Sequence, residues 1–349
     1  MIHALSYVLR PTRLRTGLMV LFAALAATNC GTDPASPNSL TDSPTSTAAP
    51  TAGTATDAPT LASALANTSP FGPVGLWNSP TTVSWGPKPF TFSQNANNPS
   101  SLVTQISAAR SMGQRLVLAL SASNSNNTTD GKFDFTKWKS HINAYNTTAI
   151  RNAVAAGVSD GTIIGNMLID EPETKRWGGS IDKKVMDQLA SYAKNIFPTL
   201  PQGLNHGPPG YKWHTEQTYK VVDYVLYQYN WWVTTGDVNA WRSTVLARAK
   251  ADGVRPALGL NVLDGGVQDR SGTYDCTGSG QAGKGTYYPN CKMTPDQVVN
   301  WGKALIGYGC FTMLWKYDYD YMRKSANQTA FAQLATASAS KPRQSCKRP

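Results

Sequence analysis

Three carboxylates close the run Gly161-Thr-Ile-Ile-Gly-Asn-Met-Leu-Ile-Asp-Glu-Pro-Glu173, namely Asp170, Glu171 and Glu173. Carboxylates this close together can do general acid/base work, one holding a proton while its neighbour stays ionised. The whole chain has three Glu residues, Glu171, Glu173 and Glu216, so two of them at the end of one apolar run mark a site rather than casual surface decoration. Asp, Glu and Pro are also ordinary loop residues, and a solvated loop is the bland alternative.

Such groups need a rigid support. A run rich in Ile, Leu and Met and bounded by Gly and Pro reads as a buried parallel strand with the carboxylates at its C-terminal end. α/β barrels place their chemistry at that end of their strands. Other apolar runs alternate with helical patterns along residues 71–340. Val74 to Trp77, Arg115 to Ser121, Gly203 to His206, Val221 to Asn230, Arg255 to Leu263 and Cys310 to Lys316 read as strands. Helices are predicted over 100–112, 135–157, 181–196, 238–251, 295–307 and 326–337. With the 162–170 run this makes seven strands where a (β/α)8 TIM-type barrel needs eight. The eighth is expected near Val83 to Phe92 or within residues 124–160. An open doubly wound sheet is the competing α/β fold, but it carries a Gly-rich phosphate loop after its first strand, and none follows Trp77.

If the strands share one mouth, it receives Trp77, Ser121, Glu171, Asn205, His206, Gln228, Asn230, Asn261, Asp264, Trp315 and Asp318, with Trp231 and Trp232 just beyond. Amides and carboxylates hydrogen-bond hydroxyls, and Trp faces stack on the apolar side of a pyranose ring, so this inventory suits a sugar. Core packing is the alternative for any single Trp, but the chain has ten Trp and fifteen Tyr. The histidines at positions 3, 141, 206 and 214 are scattered and no Cys-x-x-Cys occurs, so neither a zinc site nor any other cofactor is expected.

At these residues the chain resembles barrel glycoside hydrolases of the large retaining clan. Asp170-Glu171-Pro172 is similar to their strand-terminal Asn-Glu-Pro, in which the Glu is the general acid/base, and Trp315 is similar to the Trp that they place beneath the bound sugar. The resemblance implies a (β/α)8 fold, a polysaccharide or oligosaccharide substrate and an acid/base role for Glu171. The chain departs from that pattern in having Asp170 where the clan has Asn, and no Glu closes a late strand to act as nucleophile. Asp264 or Asp318 is left to supply the second carboxylate, with Asp170 and Glu173 modulating Glu171. The adjacent Asp170-Glu171 is also similar to the pair in hexosaminidases, in which the Asp orients a substrate acetamide. A glycan-binding surface lipoprotein on a degenerate barrel is the non-catalytic alternative.

The ends of the chain place the domain. Arg10, Arg13 and Arg15 followed by the apolar run Leu18 to Ala27 read as a secretory leader over residues 1–30, too short to span a bilayer. Ala27-Thr-Asn-Cys30 is similar to a lipoprotein cleavage site, so a lipid on Cys30 is the one membrane attachment considered, with simple cleavage as the alternative. Residues 31–70 are rich in Ser, Thr, Pro and Ala and have no aromatic residue, Lys or Arg, the composition of a disordered tether. Residues 341–349 form a basic tail. The charge of +11, from 32 basic and 21 acidic residues, is dispersed, and no nucleic-acid-binding motif accompanies it. A monomer is expected, secreted or on the cell surface. Four cysteines remain after Cys30. Of the three connectivities, Cys276–Cys291 with Cys310–Cys346 is preferred, because the first pair flanks one Gly-rich loop and the second pins the tail.

Overall fold

The computed structural model describes residues 67–75, 90–96, 98–121, 124–206, 214–231, 237–267, 276–277 and 290–349. The leader, Cys30, residues 31–66, Trp77 and Trp232 lie outside the described residues. Eight parallel strands close into a barrel, β1 (Phe71–Gly75), β2 (Phe92–Ala96), β3 (Arg115–Ala119), β4 (Ile163–Asp170), β5 (Gln202–His206), β6 (Tyr224–Tyr229), β7 (Arg255–Asn261) and β8 (Thr312–Trp315). Each strand pairs with its sequence neighbours, and β1 closes the ring on β8 in the register Phe71↔Thr312 to Val74↔Trp315. The fold is the (β/α)8 barrel that the alternating runs imply.

The first strand starts before the predicted Val74, and the missing one is β2, Phe-Ser-Gln-Asn-Ala, at the edge of the predicted window. Around the barrel run α1 (Leu102–Ser111), α2 (Phe135–Asn143), α3 (Thr148–Ser159), α4 (Lys183–Ile196), α5 (Val238–Asp252), α6 (Pro295–Leu305), α7 (Tyr319–Met322) and α8 (Ser325–Ala339). The expected helix over 135–157 is thus two. The first ends at Asn143 with Ala144 as its C-cap, and Thr147 caps the second, its side chain accepting from Ile150 N. Residues 124–160 hold no barrel strand; a two-residue hairpin pairs Thr128 with Phe133 instead.

Phe92, Val117, Ile164, Tyr224, Leu226, Ala257, Phe311 and Met313 pack inside the barrel, and a larger apolar layer fills the space between strands and helices. Tyr224 is admitted by Gly165 and Gly203, where a Cβ would stand 2.7 and 2.3 Å from its ring.

The N-terminal ends of the strands form the base of the barrel. There Thr68 bridges Pro342 in antiparallel fashion, Ser69 N donates to Lys341 O and Arg343 N donates to Asn67 O. Pro70 O accepts from Thr312 N, so Asn67 to Pro70 are hydrogen-bonded to the barrel. Cys310 and Cys346 are disulfide-bonded, fixing the basic tail under β8. Cys276 and Cys291 are register partners in a two-stranded ladder, and the sulfur of Cys291 is in a disulfide.

Candidate active site at the barrel mouth

β4 is buried from Ile163 to Ile169 and emerges at Asp170, so its last residue and the loop after it stand on the C-terminal rim. Asp170 Oδ1 accepts from Asn205 Nδ2 at 2.5 Å, and Asn205 Oδ1 accepts from Gln228 Nε2 at 3.1 Å. Successive strand residues point to opposite faces, so one inward position each on β4, β5 and β6 supplies this chain of side chains. Just below, Gln94 Nε2 reaches Met167 Sδ at 3.4 Å.

Glu171 leaves the strand with φ +44°, a left-handed conformation that strains a side chain with a Cβ by about 1–2 kcal/mol. Several bonds hold it there. Its N donates to Asn205 O at 2.9 Å, and its O accepts from Thr174 N at 3.1 Å and Thr174 Oγ1 at 2.9 Å. The indole Nε1 of Trp177 donates to Asp170 O and Glu171 O at 3.1 and 3.2 Å, and its ring packs edge-on against Phe133.

Arg176 bridges both carboxylates, with Nη1 2.8 Å from Asp170 Oδ2 and Nη2 2.5 Å from Glu171 Oε2. The side chains of Asp170, Glu171 and Arg176 are 15%, 22% and 39% exposed, so the group opens to solvent on the arginine side. Burial, and then the charge of Asp170, push the Glu171 carboxyl above its ordinary range, against the pull of Arg176. Burial also pushes Asp170 up, while Asn205 and Arg176 favour its anion. With two N–H donors, Asp170 is the member of the pair better kept ionised, and Glu171 the one better able to hold a proton.

The other expected mouth residues divide. Asn261 Oδ1 accepts from Asp264 N at 3.0 Å and so braces the turn that carries Asp264. A Cβ on Gly265 would meet Asn230 Oδ1 at 2.6 Å, and Trp231 N donates to Gly265 O, so the loop after β7 lies against the end of β6. Burial raises the Asp264 carboxyl, opposed by the charges of Lys316 and Lys292. Trp315 is half-buried on top of the interior cluster, with Lys316 Nζ 5.5 Å from its ring centre.

Neither the family models nor the curated proteins yield a match to this chain. Among solved structures it is similar to native xylanase 10B from Thermotoga maritima at 9% identity and TM-score 0.44, over 80% of this chain and 98% of that one. It is similar to xylanase 10B from Thermotoga petrophila RKU-1 in complex with xylobiose at 10% identity and TM-score 0.46, over 80% and 97%. A chitinase from Rhizomucor miehei follows at 11% and TM-score 0.42, over 76% and 99%. At these values no activity transfers.

The structure places His206, Glu173 and Asp318 in other contacts. His206 follows the inward-facing Asn205 and therefore points outward, its ring 5.7 Å from that of Tyr227 and its Nδ1 3.6 Å from Glu173 Oε1. Glu173 is buried with it, behind the strand wall rather than at the mouth. Asp318 caps α7, its Oδ1 accepting from Tyr321 N at 2.7 Å. Sequence reasoning missed Arg176, Trp177 and Thr174. Their signal was a basic residue and an aromatic one following the carboxylates within the same short loop, Glu-Thr-Lys-Arg-Trp.

Proposed function

We propose that the protein is an exported glycoside hydrolase acting on an extracellular polysaccharide or oligosaccharide. The observation that carries this reading is the adjacent Asp170–Glu171 pair on the rim of a closed parallel barrel, with Glu171 pushed towards its protonated form and held in a strained backbone. Strain of this kind persists where surrounding structure over-determines it, and it clusters at active sites. In the proposed reaction Glu171 protonates the glycosidic oxygen as the bond to the leaving sugar breaks, and Asp170 remains the anion beside it. Asp264, on the loop after β7, is the carboxylate proposed to act from across the mouth, as nucleophile or as base for water. Trp315 supplies a stacking floor, and Asn205 and Gln228 hold Asp170 in place.

Export is part of the proposal. It is supported by the leader-like residues 1–30 and by the Cys310–Cys346 bond, which suits an oxidising compartment.

The bridging of both carboxylates by Arg176 favours a second reading, since an ion-paired Glu171 can hold a glycan without cleaving it. The two part on assay of the wild type and Glu171→Gln against plant, fungal and bacterial polysaccharides. Hydrolysis that falls about 10²–10⁴-fold in the variant, with glycan binding kept, is expected for the enzyme. Full activity in Glu171→Gln would sink the assignment of Glu171, and an inactive wild type that still binds glycans would establish the non-catalytic reading.

A further inference from the structure

The end of β5 holds the segment from Asp170 to Glu173 on both faces of the strand. On the inner face Asn205 Nδ2 donates to Asp170 Oδ1 at 2.5 Å, and Asn205 O accepts from Glu171 N at 2.9 Å. On the outer face the next residue, His206, stands with Nδ1 3.6 Å from Glu173 Oε1. Glu171, with φ +44°, lies between these two holds.

Backbone pairing does not carry the hold past Glu171. The register of β4 on β5 shifts between Met167 and Asp170, and Pro172 has no N–H to give. Pro172 O accepts instead from Ile181 N at 2.8 Å, which ties the loop to the approach to α4. Beyond it the side chain of Glu173 is 1% exposed and that of His206 10%. A carboxyl buried this fully is costly unless a polar partner meets it, so Glu173 is not a solvated loop residue that can move freely. A left-handed Glu171 in turn persists only where the structure on either side over-determines it.

We propose that Glu173 and His206 are positioning residues, which hold Glu171 in its left-handed turn by fixing the segment beyond Pro172 to the outer face of β5. Its catalytic consequence rests on the acid/base role proposed for Glu171, while the hold on the loop stands on the geometry alone.

Two indoles report on that hold. Trp177 Nε1 donates to Asp170 O and Glu171 O in the held segment, whereas Trp138 Nε1 donates to Leu168 O at 3.0 Å, deeper in the same strand. Their N–H exchange rates are read by NMR on the full-length protein, with Trp177→Phe and Trp138→Phe to identify the two signals. Glu173→Leu should speed exchange at Trp177 about tenfold or more and leave Trp138 within about twofold. If that variant fails to fold, Glu173→Gln decides, with exchange at Trp177 about threefold faster as a charged contact becomes a neutral one. His206→Leu should act on Trp177 in the same way, and the double change with Glu173→Leu should fall short of the sum of the two, as for residues in contact. On a glycan that the wild type cleaves, Glu173→Leu should lower kcat about tenfold or more with KM within about twofold, because the acid is misplaced and the sugar contacts remain. Unmoved exchange at Trp177, equal acceleration at Trp138, or additive effects of the two changes would each overturn the proposal. An unchanged kcat beside faster exchange at Trp177 would overturn its catalytic part. A wild type that cleaves no glycan would instead overturn the hydrolase reading, and the two exchange rates would still decide whether Glu173 and His206 hold the loop.

Discussion

At the scale of single residues, the ionisation of Glu171 is set by opposing neighbours. Burial and Asp170 raise its carboxyl, and Arg176 lowers it. A general acid must be protonated, so under the proposed mechanism activity is lost as pH rises through the raised value. Asp170→Asn removes the like charge and should move that basic limb to lower pH, whereas Arg176→Gln should move it to higher pH. Measurement of kcat/KM against pH for the two variants checks this, and limbs moving together would refute it. The same shifts act on stability. Carboxyls whose folded values are raised contribute stability that is complete below the ordinary carboxylate range and is lost as pH rises through the raised values. Asp170→Asn should therefore show a smaller fall in Tm than the wild type as pH rises from the ordinary carboxylate range towards neutral.

At the scale of elements, β4 and β5 both close on the Tyr224 ring of β6, against Gly165 and Gly203. A Cβ at Gly203 would stand 2.3 Å from that ring. Gly203→Ala should therefore lose about 1–3 kcal/mol, and Tyr224→Leu in the same chain should recover part of it. Denaturant titration of the single and double variants gives the answer, and additive losses would show that the ring is not the obstacle. β4 was legible because its apolar run and its carboxylates are contiguous in sequence. β2 was not, since Ser93, Gln94 and Asn95 interrupt any apolar pattern, and Ser93 and Gln94 are nevertheless buried. For His206 the difficulty was the period of two: a five-residue strand gives little warning of which face each residue takes, and Asn205 and His206 cannot share one. Arg176 was hidden for another reason. Its contact with Asp170 and Glu171 depends on how the loop turns back after Pro172, and composition does not specify that path.

At the scale of the whole molecule, the two ends of the domain are built into each other at the base. The Cys310–Cys346 bond spans a separation of 36 residues, so Cys346→Ser should lower stability by about 3–4 kcal/mol, visible as a lower denaturant midpoint. An unchanged midpoint would mean that the hydrogen bonds of the tail suffice. Shortening from the other side should be tolerated only up to a point. A chain begun at Leu61 keeps the acceptors of Thr68 for Arg115, whereas one begun at Phe71 leaves that buried guanidinium without them. The first should melt like the full-length protein and the second at a clearly lower temperature, and equal melting would place the domain boundary at β1.

The pairing of Thr68 with Pro342 also fixes a direction. Asn67 and Thr68 stand on the side of the strand starts, while Asp170 and Glu171 stand at the strand ends. If the exported protein is attached through a segment ahead of Asn67, as the proposed function allows, the carboxylates stand at the end of the strands remote from Asn67. For the proposed hydrolase, acting on a polymer too large to diffuse to it, attachment at the strand starts and contact with the polymer at the strand ends would not compete for the same space.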